Sequence, residues 1–172
     1  MAADSINAGP LDTELQSSAA DLVAVLMSGH LRTDTDTLGY ALATGVEVAL
    51  AARDPGPRSH RAWVLCGDAE LGDGPIWEAF QRAGRERLDN LIVIIDINRL
   101  GQTREAMLGW DIDGYRARFS ACGWRVIEIH GHDVCQIDSA YKSAEVSDGR
   151  PTAILARTRK HRGLRAVADP PV

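Results

Sequence analysis

The stretch Leu91 to Ile97 (LIVIIDI) constrains this chain more than any other. It is aliphatic and rich in β-branched residues, without the in–out alternation of a strand that has one wet face. It reads as a strand covered on both sides, the kind found in parallel sheets with helices above and below. Flanking segments agree. Ala62 to Cys66 (AWVLC) is a second short buried strand, feeding a turn at Gly67-Asp68. Arg125 to Ile129 (RVIEI) and Thr152 to Ala156 (TAILA) are two more. Helical segments fall between them at Pro75 to Arg87, Ile112 to Ala121 and Val134 to Ala144. In the first of these, Pro75 suits an opening turn, and Ile76, Phe80 and Ala83 share a face. Gly123 is a natural C-cap for the second. Strands alternating with helices predict an α/β three-layer sandwich with a mainly parallel sheet and right-handed crossovers.

Upstream, Ser17 to Arg32 reads as a helix with Leu22, Val25, Leu26 and Met27 on one side, stopped near Gly29. Residues 33–37 (TDTDT) form a polar loop. Leu38 to Arg53 is apolar and Ala-rich, which suits a helix buried on most sides. Asp54-Pro55-Gly56-Pro57 ends it. Asn98 to Gly109 is expected as a loop. The 172 residues are expected to form one domain over 1–172, with 1–36 as a helical N-terminal segment and 164–172 as a tail. A formal net charge of -5 gives no global attraction to nucleic acid or an anionic membrane. The apolar run at Leu91 is far too short to cross a bilayer. There is no basic segment before a long apolar stretch at the N-terminus, and three cysteines make no disulfide framework. The expectation is a soluble, cytoplasmic protein with reduced thiols.

In open α/β sheets, ligands bind beyond the C-terminal ends of the strands. Two strand ends carry suitable groups: Gly67-Asp68-Ala69-Glu70 and Asp96-Ile97-Asn98-Arg99-Leu100. Asp68 and Asn98 are separated by about one strand–helix–strand unit. On neighbouring strands their side-chain oxygens converge, and a carboxylate with an amide carbonyl suits Mg²⁺ or Ca²⁺ while leaving room for phosphate oxygens. Gly67 permits a sharp turn and close backbone approach. The helix that follows can present its N-terminus to an anion. Such a site would hold a metal and a diphosphate together. An Asp at a strand end also serves simply as a helix cap.

These residues resemble the thiamine-diphosphate signature, which begins GDG and ends near an Asn about thirty residues on. The wider blocks resemble the diphosphate-binding domain of transketolases: Gly67 to Leu71, Trp77-Glu78-Ala79, LDNLIVIIDINRLGQ (Leu88 to Gln102), GWRVIEIHGHD (Gly123 to Asp133) and PTAILARTRK (Pro151 to Lys160). Thr37-Leu38-Gly39 and DSINAG (Asp4 to Gly9) are similar to further family stretches. The resemblance implies that Asp68 and Asn98 ligate Mg²⁺ or Ca²⁺ by side chain, and Leu100 by its backbone carbonyl. It implies that Gly67, Ala69, Glu70 and Asn98 line the diphosphate and metal, that Asp36, Thr37 and Leu38 pack on the thiamine, and that Lys160 is a basic residue near the cofactor. Asp73 and Glu78 match acidic residues at the family's subunit interface.

Three departures set this chain apart from that pattern. Ala69 replaces the motif's second Gly, which costs energy if the position needs a positive φ. Between His30-Leu31-Arg32 and Thr37-Leu38-Gly39 the chain crosses in four residues a gap where transketolases carry a long segment with histidines that touch cofactor and substrate. The pyrimidine-binding domain, which supplies the glutamate that activates the cofactor, has no counterpart in the sequence. The resemblance therefore implies one subunit of a split enzyme, inactive alone, that works with a second chain carrying the pyrimidine and C-terminal domains in an α2β2-type hetero-oligomer. With that partner it would transfer a two-carbon ketol unit; the acceptor stays open, because the missing segment would help select it. The alternatives are a non-catalytic regulatory subunit or pseudoenzyme, or a component of another thiamine-dependent enzyme such as a decarboxylase or ketoacid dehydrogenase. The blocks Asn98 to Gln102 and Gly123-Trp124 favour the transketolase reading. His30 is more naturally a helix-terminal residue than a catalytic one. His130 and His132 are expected to be structural, His60 and His161 solvated, and Trp63, Trp77 and Trp124 core residues.

Overall fold

A computed structural model describes residues 18–31, 37–39, 41–53, 60–98 and 108–159. Helix α1 (Ala20–Val25) runs into a π-helical turn (Leu26–His30), followed by strand β1 (Thr37–Gly39) and helix α2 (Leu42–Ala51). Strand β2 (Ala62–Gly67) leads through a 3-10 turn (Asp68–Gly72) into α3 (Gly74–Glu86). Then come β3 (Leu91–Ile97), α4 (Ile112–Ala121), β4 (Arg125–His130), α5 (Val134–Ala144) and β5 (Thr152–Arg157). The sheet has five strands in the order β1-β2-β3-β5-β4, and every neighbouring pair is parallel.

The β3 run is central, and all seven of its residues are buried. Its side chains divide between two cores. Leu91, Val93, Ile95 and Ile97 pack beneath α2, α3 and α4 with Phe80, Tyr115, Phe119 and Trp124. Ile92 and Ile94 face α1 and α5, together with Trp63, Leu22, Leu26 and Tyr141. This is the α/β three-layer sandwich. Trp63 and Trp124 are fully buried and Trp77 packs partly buried against the first core, so all three serve as core residues. The indole N–H of Trp124 donates to the Phe80 carbonyl at 2.8 Å. Phe80 meets Trp124 and Phe119 edge-on, at centroid distances of 5.1 and 4.8 Å.

Helix ends follow local chemistry. Asp111 caps α4 by accepting from the Gly114 N–H, and Asp133 caps α5 by accepting from the N–H groups of Cys135 and Gln136. Gly123 leaves α4 with φ +84°, a conformation that favours glycine.

Two segments differ from their sequence expectation. Thr37–Gly39 is a strand paired with the start of β2, so the helix expected from Leu38 begins only at Leu42. A short run of this kind carries no usable periodicity, and its pairing partner is distant in sequence. The helix expected over Ser17 to Arg32 is α1 closed by a π-turn. That turn rotates Met27 outward to 54% exposure, while Leu22 and Leu26 stay buried.

Candidate cofactor and metal site

The C-terminal ends of β2 and β3 lie side by side, in a register that sets Gly67 against Asp96. Residues that follow the two strands are thereby brought to one point. The Asn98 backbone N–H donates to Asp68 Oδ2 at 3.2 Å, a contact across thirty positions of sequence. Both residues are buried, Asp68 at 1% and Asn98 at 9% exposure. Asp68 thus meets the end of the adjacent strand, as a convergent ligand pair requires.

The turn that carries Asp68 is held from several directions. Leu71 is fully buried, and its carbonyl accepts the Trp77 indole N–H at 2.8 Å, which fastens the turn to α3. Glu70 reaches back so that Oε1 accepts the Gly67 N–H at 2.8 Å. Burial pushes the Glu70 carboxyl above the ordinary carboxylate range, and the nearby charge of Asp73 adds to the shift. Burial likewise pushes the Cys66 thiol well up, which disfavours its thiolate.

Gly67 sits at φ −82°, ψ 152°, ordinary extended backbone, so its freedom to adopt positive φ is not used. The 3-10 turn follows it directly, and the helix expected from Pro75 is α3, which starts at Gly74 with Pro75 in its first turn. Among the described non-glycine residues only Arg87 has a positive φ. Ala69 therefore carries no such strain in place of the signature's glycine, and its side chain is exposed.

Behind Asp68 and Asn98 lies a buried polar cluster. Asp96, at 0% exposure, accepts from the hydroxyls of Ser18 and Thr158 and from Asn98 Nδ2 at 3.1 Å. The same Nδ2 donates to Ser18 Oγ at 3.1 Å. Burial raises the Asp96 carboxyl above its usual range, and these three donors oppose the shift. The sequence places Asp96 at the strand end without pointing to a role for it. A carboxylate inside an aliphatic strand is the signal that was available. Ser18 and Thr158, 78 and 62 positions away, carry none.

Thr37 and Leu38 lie in β1, the edge strand beside β2; Asp36, Leu100 and Lys160 fall outside the described residues. Asp73 and Glu78 are exposed at the start of α3. His132 is structural: Nδ1 lies 2.8 Å from Asp21 Oδ2, and Nε2 accepts the Arg159 N–H at 2.8 Å. His30 is buried between Glu145 (Nδ1, 2.8 Å) and Asp138 (Nε2, 3.0 Å) of the α5 region, edge-on to Tyr141. Tyr141 in turn meets Trp63 near the start of β2. His30 therefore sits toward the opposite end of the sheet from Asp68.

The donor set fits a cation that shares its ligands with a phosphate. Among the described residues no three His, Cys, Asp or Glu side chains form an all-protein metal cage. One carboxylate and one amide at adjoining strand ends leave coordination positions for phosphate oxygens and water, the usual arrangement around Mg²⁺. No described helix is long and apolar enough to cross a membrane.

Residues 27–166 match the family described as "Transketolase, thiamine diphosphate binding domain". The human transketolase is 40% identical over 135 residues, covering 78% of this chain and 21% of that protein. An apulose-4-phosphate transketolase subunit of Phocaeicola vulgatus is 34% identical over 149 residues, covering 81% of this chain and 52% of that protein. The transketolase structure from Campylobacter jejuni superposes with a TM-score of 0.65 at 33% identity, over 73% of this chain and 21% of that one. The chain spans about a fifth of the length of the transketolases it matches, and about half of the Phocaeicola vulgatus protein. By fold, strand-end residues and family match, it belongs to the transketolase family, as its thiamine-diphosphate-binding domain.

Proposed function

We propose that this chain is the diphosphate- and metal-binding component of a two-subunit transketolase-like enzyme. The observation that carries the proposal is the convergence of Asp68 and Asn98 at adjoining strand ends within the family's cofactor domain. Asp68, the Asn98 carbonyl oxygen and the Leu100 backbone carbonyl hold Mg²⁺, or Ca²⁺ in its place. Gly67, Ala69 and Glu70 line the diphosphate. Asp36, Thr37 and Leu38 face the thiamine, and Lys160 adds positive charge near the phosphates. When bound, thiamine diphosphate supplies the electron sink for carrying a two-carbon unit. The chain's own part is to anchor and orient it.

Proton transfer to and from the aminopyrimidine needs a positioned carboxylate. None of the residues above takes that part, so we assign it to a second chain that carries the pyrimidine and C-terminal domains. Likeness to a protein named as one subunit of a transketolase supports this division. Asp73 and Glu78, which match acidic residues of the family's subunit interface, are exposed, which supports contact with that second chain. The reaction is transfer of a two-carbon ketol unit, in an α2β2-type complex. A non-catalytic regulatory role would draw support from strain at Ala69, and the ordinary backbone there gives it none. The loss of the histidine-bearing segment still favours that reading, and the same assay decides between them. Purified chain and candidate partner are mixed with thiamine diphosphate, Mg²⁺ and a ketose donor. Turnover is expected from the mixture and from neither chain alone. A stable complex that binds cofactor without transferring a ketol unit would establish the regulatory role instead.

A further inference from the structure

We infer that Asp96 is a positioning residue: with Ser18 and Thr158 it locks the Asn98 amide so that the carbonyl oxygen, not the NH₂ group, is presented to the metal. The inference rests on the functional reading above and deepens it. Both Asp96 oxygens act as acceptors, Oδ1 from Thr158 and Oδ2 from Ser18, so the branch of the Asn98 amide that meets Oδ2 at 3.1 Å is the NH₂. Ser18 Oγ accepts from the same nitrogen at 3.1 Å and donates to the same carboxylate oxygen, closing a three-membered ring of hydrogen bonds. Thr158 donates to the other oxygen, Oδ1, and fixes the carboxylate plane. An amide's oxygen and nitrogen lie on opposite sides of its Cγ, so the oxygen is turned away from Asp96. A cation needs that oxygen; a flipped amide would offer it two N–H hydrogens.

The cluster is also dry. Ser18 and Asp96 are 0% exposed and Thr158 2%, so a half-satisfied arrangement would be costly, and a single orientation is enforced. Its members come from three distant parts of the chain: the segment entering α1, the end of β3 and the end of β5. Formation of the sheet and docking of α1 are therefore required before Asn98 is set. Partners that orient a metal ligand typically change affinity by about 10–100-fold when removed.

The test is a polarity swap in the full chain, with binding measured in complex with the partner subunit. Asp96→Asn alone frees Asn98 to flip, and Asn98→Asp alone sets two carboxylates against each other. Each is expected to weaken binding of thiamine diphosphate with Mg²⁺ by about 10–100-fold in calorimetry. Combining them restores a donor opposite an acceptor, and should bind at least tenfold tighter than Asn98→Asp alone. Loss of packing would not be rescued in this way. An independent readout needs no cofactor. The side-chain ¹⁵N–¹H₂ signal of Asn98 in the metal-free chain should exchange slowly with water, and should move to a free-amide position in Ser18→Ala and Asp96→Asn. An Asn98 signal indifferent to both variants, or a double variant no tighter than Asn98→Asp, would overturn the lock. Failure of the folded parent complex to bind cofactor, with the amide signals behaving as expected, would instead overturn the functional reading.

Discussion

At the scale of single residues, the proposed site divides its labour among buried polar groups. Asp68 brings the charge, Asn98 a neutral oxygen, and Asp96 a second carboxylate kept at a remove by hydroxyl and amide donors. Removing the charge should matter most. Asp68→Ala is expected to lower affinity for thiamine diphosphate with Mg²⁺ by more than the roughly 100-fold upper value typical of outer-sphere partners, read by calorimetry. Tyr115 gives a pH prediction. Burial, reinforced by the charge of Asp68, pushes its phenol up to about 12. In the unfolded chain the phenol ionises near its ordinary value of about 10. Between those values the folded state holds the extra proton, so Tyr115's contribution to stability is complete below about pH 10 and is lost as pH rises through about 12. Denaturant midpoints should fall across that window. Tyr115→Phe should flatten part of the fall, the rest belonging to Tyr141, whose phenol burial also raises.

Elements are positioned by close approaches that tolerate no added atom. Gly84 of α3 lies against the end of α4, where an added Cβ would sit 1.7 Å from the Cys122 carbonyl oxygen. Gly84→Ala should therefore separate α3 from α4, destabilising the chain by about 3 kcal/mol or more. Gly29 has nothing within 4 Å of a built Cβ, so Gly29→Ala should be neutral or stabilising by up to about 1 kcal/mol. Urea midpoints of the two variants make the comparison. His30 joins the π-turn to α5 through Asp138 and Glu145. His30→Ala should cost about 1–3 kcal/mol in stability while leaving cofactor affinity unchanged, since the ring lies toward the other end of the sheet. Loss of affinity without loss of stability would place His30 in the site.

Much of the element order was legible in sequence because parallel strands and amphipathic helices write local patterns. The residues read as helices at Ile112 to Ala121 and Val134 to Ala144 are those of α4 and α5, and the LIVIIDI run is β3 itself. What was not legible depended on distance. Strand β1 exists by pairing with β2, and the π-turn exists by docking on α5. The Asp68–Asn98 pair was readable because one strand–helix–strand unit has a characteristic length. The Asp96 cluster was not, because Ser18 and Thr158 reach it only once the whole sheet is formed.

For the molecule as a whole, the sheet accounts for how the proposed half-site is assembled. Parallel strands deliver their C-terminal ends to one edge, and buried layers pack on both faces of the sheet. In the proposed enzyme the diphosphate and metal side is built within this chain, and proton-transfer chemistry belongs to the partner. Reconstitution with a partner addresses the reaction. The site itself is tested most directly by calorimetric titration of thiamine diphosphate with Mg²⁺ into the chain in complex with that partner, for the parent, Asp68→Ala and Asn98→Ala. Saturable, Mg²⁺-dependent binding by the parent that disappears in both variants is the expected result. Binding of undiminished affinity in either folded variant, or none by the folded parent complex, would contradict it.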